Sequence, residues 1–541
     1  MKRGCFWLRP VISKACCVLA ALSMQAVVGA CVADDLTCQL ELKLVDQATG
    51  QELPGIVRCT ESDGEPVPLE PLLNRGYGIE RRSGVHDWFV LPAATTIEVP
   101  AERLEFQALS GLETERSEVS VDLTGKGEAE LAIKLVRFFD PLGAGQVAGN
   151  THLHLRRMSK EQADRYLREV PLADGLDIVF LSYLERAIDD LEYTSNNYTP
   201  DDLRRLSTEL LRFGHGEEHR HNFEGYGEGY GHILLLDIPH IIRPVSIGPG
   251  IMREGTDAPP LQQGIDEAKA GGGTIVWAHD RYGLEDIPNW LTGRVDANNI
   301  FDGGTRGSYK DSFYRYLNIG LKVPFSSGTD WFIYDFSRAY VLADRARTPR
   351  EWLAELAAGR SYITNGPLLE FHVDGHRLGD TIELDQPAQL KIEARCVGRI
   401  DFQRIELVRN GSVVETQESQ RVAQHFVADA TWEIEIDAPC WLALRCPPPP
   451  VANDPTLQEP VPLNEYDGPL FAHTSPIYVT LAGEMPFDSS VAAELHREMQ
   501  EALHHIADHA VFAEDEEREQ VQAVYSAALG ELEARMAAHS R

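Results

Sequence analysis

The sequence predicts a multidomain α/β plus β protein: a parallel (β/α) domain, a barrel or near-barrel by its length, flanked by two β-sandwich domains and followed by a helical hairpin. Three observations predict it. Across residues 141–372, apolar runs of strand length alternate with segments whose apolar residues recur at helical spacing, the signature of a parallel α/β unit. On either side, residues 34–140 and 373–484 show short strands of alternating character separated by turn residues. Within residues 485–541, Leu495, Met499, Leu503 and Ile506 fall at helical spacing, read as one helix of a hairpin packed on the second sandwich or on a partner. A chain of 541 residues is too long for one core, so about three or four domains are expected. The 43% apolar and 25% charged fractions are those of a soluble globular protein. A formal net charge of -34 would repel a phosphate backbone, which excludes nucleic acid as a partner.

Residues 1–33 read as an export signal. Lys2, Arg3, Arg9 and Lys14 make a basic start, Ala15 to Ala30 is mostly apolar, and no acidic residue precedes Asp34. The apolar run is short for a spanning helix. Val28-Gly29-Ala30-Cys31 resembles a bacterial lipobox, which would make Cys31 a lipid anchor and the one route to a membrane; plain cleavage after Ala30 or Ala33 is the alternative. Both lead to a periplasmic or extracellular, oxidising compartment. There, Cys38 could bridge to Cys59, and Cys396 to Cys440 or Cys446, although spacing leaves connectivity open. None of these lies in a CxxC, which argues against structural zinc.

In the first β region, Leu40, Leu42 and Leu44 share one face of a strand, and turn residues follow at Ala48-Thr49-Gly50, Ser62-Asp63-Gly64 and Thr124-Gly125-Lys126-Gly127. The run from Val45 to Gly55 resembles the opening of carboxypeptidase regulatory-like β-sandwich domains, which implies architecture rather than activity.

The α/β region opens with a strand ending in His152 and His154. Ser159, with Gln162 three residues on, reads as the N-cap of a helix carrying Ala163, Tyr166, Leu167 and Val170. Leu176 to Leu181 is apolar nearly throughout, as a strand covered on both faces should be. Thr199-Pro200 opens a helix carrying Leu203, Leu206, Leu210 and Leu211, closed by Gly214. Strands at His232–Leu236, Thr274–Ala278 and Val323–Ser327 follow, with helices before the Gly271-Gly272-Gly273 break and around Asp311 to Ile319. Thr348-Pro349 opens a last helix ended by Gly359, before Ser361-Tyr362-Ile363-Thr364. In the second β region, strands at Leu390–Cys396, Ile405–Arg409 and Trp432–Ile436 surround an Asn410-Gly411 hairpin turn and the proline run 447–450.

The chemistry-bearing residues gather at strand ends. His152 and His154, two apart on a strand, emerge on one face about 7 Å apart along the chain. The segment after Gly214 reads His215-Gly216-Glu217-Glu218-His219-Arg220-His221; Gly231-His232 opens the next strand, and later strands end in His279-Asp280 and Thr329-Asp330. In a parallel barrel such ends converge on one face, and several His with carboxylates from separate strands are a ligand set for zinc, manganese or iron. No Gly-rich phosphate loop or Gly-x-Ser-x-Gly elbow is present.

This ordered series resembles the metal motifs of PHP-domain metallohydrolases, in particular the exported CehA/McbA-type branch. Arg360-Ser361-Tyr362-Ile363-Thr364-Asn365-Gly366-Pro367 and Ala472-His473-Thr474-Ser475-Pro476-Ile477-Tyr478-Val479 resemble further stretches of that branch. The resemblance covers roughly residues 145–480 and implies a distorted barrel that binds divalent metal and hydrolyses phosphate or other esters with metal-activated water, as bound metal lowers the pKa of water. Carried over residue by residue, it implies His152, His154, Glu218, His232, His279 and Asp330 as metal ligands for one or two ions, with His279 and Asp330 also catalytic. Glu218 is preferred to Glu217 because the family's glutamate usually follows its glycine by two. Departures stand beside it. Asn150-Thr151 replaces the family's Asp before the first His, Leu181-Ser182-Tyr183-Leu184-Glu185 lacks the second motif, and Asp330-Trp331-Phe332 lacks its closing His. Replacement ligands would come from Glu217, His215, His219, His221, Glu185 or Asp280. Arg220 and Arg281, beside the metal motifs, could hold an anionic substrate through a bidentate fork.

Two functions compete. The first is an exported hydrolase of a small-molecule ester or phosphoester. The alternative is a non-catalytic, surface-associated binding protein built on a degenerate barrel, which the missing motif residues favour and the six retained ligands oppose.

Overall fold

The computed structural model describes residues 37–80, 84–188, 192–225, 229–280, 283–303, 307–343, 348–449 and 461–539. The export segment, Cys31 and Arg281 lie outside the described residues. The architecture is mixed α/β, with strands in several sheets and nine helices among the described residues.

In the first β region, alternation along Thr37–Asp46 sends Cys38, Leu40, Leu42 and Leu44 inward. That strand pairs antiparallel with Thr95–Pro100 and parallel with Glu128–Leu135. A five-stranded sheet built around Gly55–Glu61 and Arg103–Leu109 supplies the other half of the same apolar cluster. The bridges expected here and in the second β region are not formed. Cys38, Cys59, Cys396, Cys440 and Cys446 are all buried free thiols, packed as small apolar side chains, with Cys396 Sγ 3.9 Å from Cys446 Sγ.

In the α/β region, strand β1 (Gln146–His154) is buried at every position. Helix α1 (Lys160–Ala173) starts on the expected capping box, Ser159 accepting from the Gln162 amide while the Gln162 side chain takes the Ser159 amide. Strand β2 (Ile178–Tyr183) and helix α2 (Pro200–Leu206) follow. The helix is shorter than the leucine spacing suggests. Ser207 Oγ donates to Leu203 O, Thr208 Oγ1 accepts from the Leu210 and Leu211 amides, and the chain turns into strand β3 (Arg212–His221). So Gly214 lies inside a strand, against Phe180, rather than at a helix end.

Strand β4 (Gly231–Leu236), helix α3 (Leu261–Ala270), β5 (Thr274–Trp277), α4 (Asp286–Leu291), β6 (Ala297–Asn299), β7 (Phe325–Ser326) and β8 (Asp330–Trp331) complete the ladder. The pairings run β1–β2–β3 parallel, β3–β4–β5 antiparallel and β5–β6–β7 parallel, and β8 returns to pair parallel with β1. The reversal of β4 is a departure from the all-parallel expectation and has a consequence for the site. The expected helix near Asp311 begins as a π-type turn at Lys310–Tyr314 and ends at Leu317.

Strand β9 (Arg338–Leu342) lies antiparallel on β1, and β10 (Ser361–Thr364) pairs with both β9 and Ala472–Thr474. The ladder therefore runs unbroken into the second β region, where a four-stranded sheet formed by Leu368–Val373, Ala388–Gly398, His425–Ile436 and Gln420–Val422 covers it. The C-terminal hairpin, α5 (Ser489–His509) and α6 (Asp515–His539), packs on the α/β region rather than on the sandwich. Leu495, Met499, Ile506, Val521 and Tyr525 join Trp290 and Leu291 of α4 in one apolar cluster, because α4 presents an apolar face to the stripe on α5. Arg315 pairs with Glu498 at 2.8 Å and the Val511 amide donates to Asp257 at 2.7 Å, fixing the middle of α5 and the hairpin loop. Among the described residues no helix is long and apolar enough to cross a membrane.

Candidate metal centre

Strand periodicity puts His152 and His154 on the same face of β1, and their Nε2 atoms come within 2.9 Å of each other. Their other ring nitrogens face acceptors that cannot donate. His152 Nδ1 donates to the Asp302 carboxylate at 2.7 Å, and His154 Nδ1 donates to the Ser182 carbonyl at 3.0 Å. Both Nε2 lone pairs therefore point at one another and at carboxylate oxygens. Glu218 Oε2 lies 3.1 Å from His154 Nε2 and 3.9 Å from His152 Nε2, and Asp330 Oδ1 lies 3.6 Å from His152 Nε2. Four lone-pair-bearing atoms facing inward in a buried space require a cation, either a proton or a metal ion.

Glu218 also belongs to a second group. Its Oε1 lies 3.0 Å from His232 Nδ1 and 3.4 Å from His279 Nε2, so one carboxylate offers one oxygen to each cluster. His232 reaches this place because β4 runs backwards: its first residues sit beside the last residues of β3, with His232 opposite Arg220. His279 follows β5 and Asp330 opens β8, both in the left-handed region with φ of 58°. Neither is glycine, and such backbone costs about 1–3 kcal/mol per residue, which the surrounding structure must supply. These are the two candidate ligands that reach open space, their side chains 18% and 12% exposed, above a cavity of about 400 Å³ also lined by Arg186, Arg220, Asp280 and Trp331.

Electrostatics follow from this crowding. Burial opposes the charged form of His279, but Glu218, Asp302 and Asp330 reverse it and push its pKa up to about 10. His152 is raised the same way, against burial, chiefly by Asp302. Burial disfavours the Glu218 carboxylate, yet Arg220 and the histidines hold it well below the usual range. For His232, burial and Arg220 act together and keep the ring neutral.

The six residues singled out as ligands by sequence are thus brought together in two groups sharing Glu218. The second-choice residues stand outside both groups, and β-strand alternation explains most of them. Glu217, on the opposite face of β3 from Glu218, accepts from the Ile242 amide at 2.8 Å. His219 lies 3.4 Å from Glu217 and would be struck by any side chain at Gly264 of α3. His221 shares that face, with Nε2 2.9 Å from Asp257 and its ring stacked on Tyr230. His215 points the same way and is half-buried. Glu185 pairs with Arg243 and the Tyr183 hydroxyl. Asp280 lines the cavity without joining either group. Arg220 gives one N–H to Glu218 at 3.2 Å, so it is not a free fork.

The departures from the motif pattern acquire local explanations. Asn150 is buried, donating to Thr329 Oγ1 at 2.8 Å and accepting from the His152 amide at 3.0 Å, which ties β1 to the turn before Asp330. Where the second motif is missing, the Ser182 carbonyl orients His154. Trp331 lies against the His154 ring at 5.1 Å and carries Arg156 over its face. Sequence reasoning missed Asp302 and Arg186; the signal for Asp302 was the Asp-Gly-Gly sequence after the short Ala297–Asn299 strand and Ile300-Phe301. No protein-family model matches the chain, and no curated protein matches it.

Proposed function

We propose that the chain is an exported, metal-dependent hydrolase of a small-molecule phosphoester or other ester, built on a distorted PHP-like barrel. The observation that carries this reading is the sharing of Glu218 between two buried groups of imidazoles and carboxylates beneath an open cavity. The donor set fits a divalent transition metal such as zinc, manganese or iron, because imidazole nitrogens and carboxylate oxygens converge on one buried space. His152, His154, Glu218 and Asp330 would hold one ion, and Glu218, His232 and His279 a second. A bound divalent ion supplies Lewis acidity and activates water at neutral pH.

The chain's own residues do the rest. Asp302 and the Ser182 carbonyl take the Nδ1–H of His152 and His154, so Nε2 is the nitrogen each ring offers for ligation. Asp330, at the cavity floor, would receive a proton from attacking water, and His279, which lines the same cavity, would face the substrate. Arg186 and Arg220 line the same cavity and supply positive charge to an anionic substrate oxygen. A panel of phosphoesters and carboxylic esters, assayed with the full chain and the H152A/H154A double variant, tests this. Activity in the former and none in the latter is expected. A metal-loaded, folded chain inert on the whole panel would instead support the binding-protein reading.

A further inference from the structure

Beside the metal-type cavity lies a second one of about 430 Å³, where the segment leading into Lys310–Tyr314 meets the Asn410–Ser412 turn and the Pro448–Pro449 pair of the second β region. Phe301 and Gly307 line both cavities, so the two are immediate neighbours. Its walls are aromatic and prolyl, from Tyr309, Tyr314, Pro448 and Pro449. Its cationic residues are Lys310 and Arg445, the latter paired with Glu406 behind the wall, and among the described residues none that lines it is acidic. In a chain with a formal net charge of -34 that bias is opposite to the surface as a whole.

The wall is held rigid from behind. Arg445 donates to Glu406 at 2.8 Å and to the Tyr314 hydroxyl at 2.9 Å. The Tyr314 hydroxyl in turn lies 2.7 Å from His473 Nε2, and His473 Nδ1 donates to the Thr474 carbonyl at 2.8 Å. His473 is therefore the acceptor for Tyr314, and the ring is fixed before any ligand arrives. Lys310 is exposed and has no acidic partner among the described residues. A preformed concave site of this size between two structural regions, apolar with a few convergent charges, is the usual form of a small-molecule site.

Resting on the hydrolase reading, we infer that this groove is the subsite for the distal part of the substrate, and that this part is a planar aromatic group carrying an anionic substituent. The rings and prolines take the planar face, Lys310 takes the anion with Arg445 behind it, and the adjoining cavity receives the scissile ester at the Glu218 cluster.

The test uses coumarin-3-carboxylate and uncharged coumarin as probes, titrated by fluorescence against the folded full chain. One molecule of the carboxylate is expected to bind per chain. S412W, which fills the groove from an exposed position, should weaken binding at least tenfold. K310E should weaken the carboxylate about fivefold or more and leave coumarin within twofold, and H152A/H154A should bind as wild type does. Equal affinity for both probes, or indifference to S412W and K310E, overturns the inference. Hydrolysis of 3-carboxyumbelliferyl phosphate against 4-nitrophenyl phosphate separates the two layers: S412W should lower kcat/KM for the first alone. Groove-dependent binding with no hydrolysis of either leaves the subsite standing and removes the catalytic reading. Hydrolysis with no groove dependence does the reverse.

Discussion

Glu217 and Glu218 are consecutive on β3, equally buried, and engaged in opposite work. Glu218 faces four imidazoles and Arg220, accepting charge from every side. Glu217 faces α3 and the loop at Ile242, with His219 and His221 beside it on the same face. On that outward face the imidazoles are each absorbed by packing: His219 against Gly264, and His221 between Asp257 and Tyr230. A strand rich in metal-type residues thus divides by parity, and only one parity meets the ends of the neighbouring strands. Residue type nominates ligands; the face of the strand selects among them.

The sharpest way to break this contrast is to exchange the two acids for amides. E218Q should abolish metal binding and lower hydrolysis by about a thousandfold or more, since one oxygen serves each group and the amide nitrogen cannot ligate in its place. E217Q should keep both metal and activity. Its cost belongs to stability, about 1–3 kcal/mol from weakening a buried acceptor of the Ile242 amide, read from urea midpoints. Equal metal loss in the two variants would show that parity does not select the ligands.

Next in size is the support behind His152. D302N removes the anionic acceptor for Nδ1–H while keeping the volume, and should lower metal affinity about 10- to 100-fold, measured by competition with a chelating dye. The outward face has its own support, Asp257, which receives His221 on one oxygen and the Val511 amide of the hairpin loop on the other. H221F should cost about 1–3 kcal/mol of stability and leave kcat at 25 °C unchanged, because it loosens the hairpin and not the cavity.

The smallest effect concerns buried acids without cationic partners. Glu285 is as buried as Glu218, but burial dominates over the amides of Leu261 and Gln262 and pushes its pKa up to about 7 from an ordinary 4.5. The folded state therefore binds more protons than the unfolded state between those values. This group's contribution is most favourable below the unfolded value and declines as pH rises through about 7. E285Q should flatten the fall of unfolding free energy between pH 5 and 8, by at most about 1.4 kcal/mol per pH unit. An unchanged slope would place the titration elsewhere.

How much of this was legible in the sequence depends on which physical signal each element carries. The β1 pair is legible because period two places His152 and His154 together whatever the rest of the fold does. The caps of α1 and α2 are legible for a similar reason, as Ser159 with Gln162 and Thr199 with Pro200 act within one turn. Glu218 was separable from Glu217 only by likeness to a family, because facing depends on which neighbours the strand acquires. The end of α2 was misplaced because Leu210 and Leu211 keep helical spacing while the Thr208 side chain turns the backbone out of the helix. His232 was nominated at the start of a strand, and only the reversal of β4 explains why a strand's start lies at the same end as its neighbours' finishes. Asp302 was hidden because β6 has three residues, too few for any period, and because its role is to orient His152 rather than to stand beside another ligand-type residue.

The central claim is that the inward face of β3 and the strand ends around it form a metal centre through Glu218. Metal content per chain, by inductively coupled plasma mass spectrometry on wild type, E217Q and E218Q purified without chelator, tests it most directly. Between one and two transition-metal ions per chain are expected in wild type and E217Q, and close to none in E218Q. A wild-type chain without metal that takes up none on dialysis, or an E218Q chain that retains it, would contradict the claim.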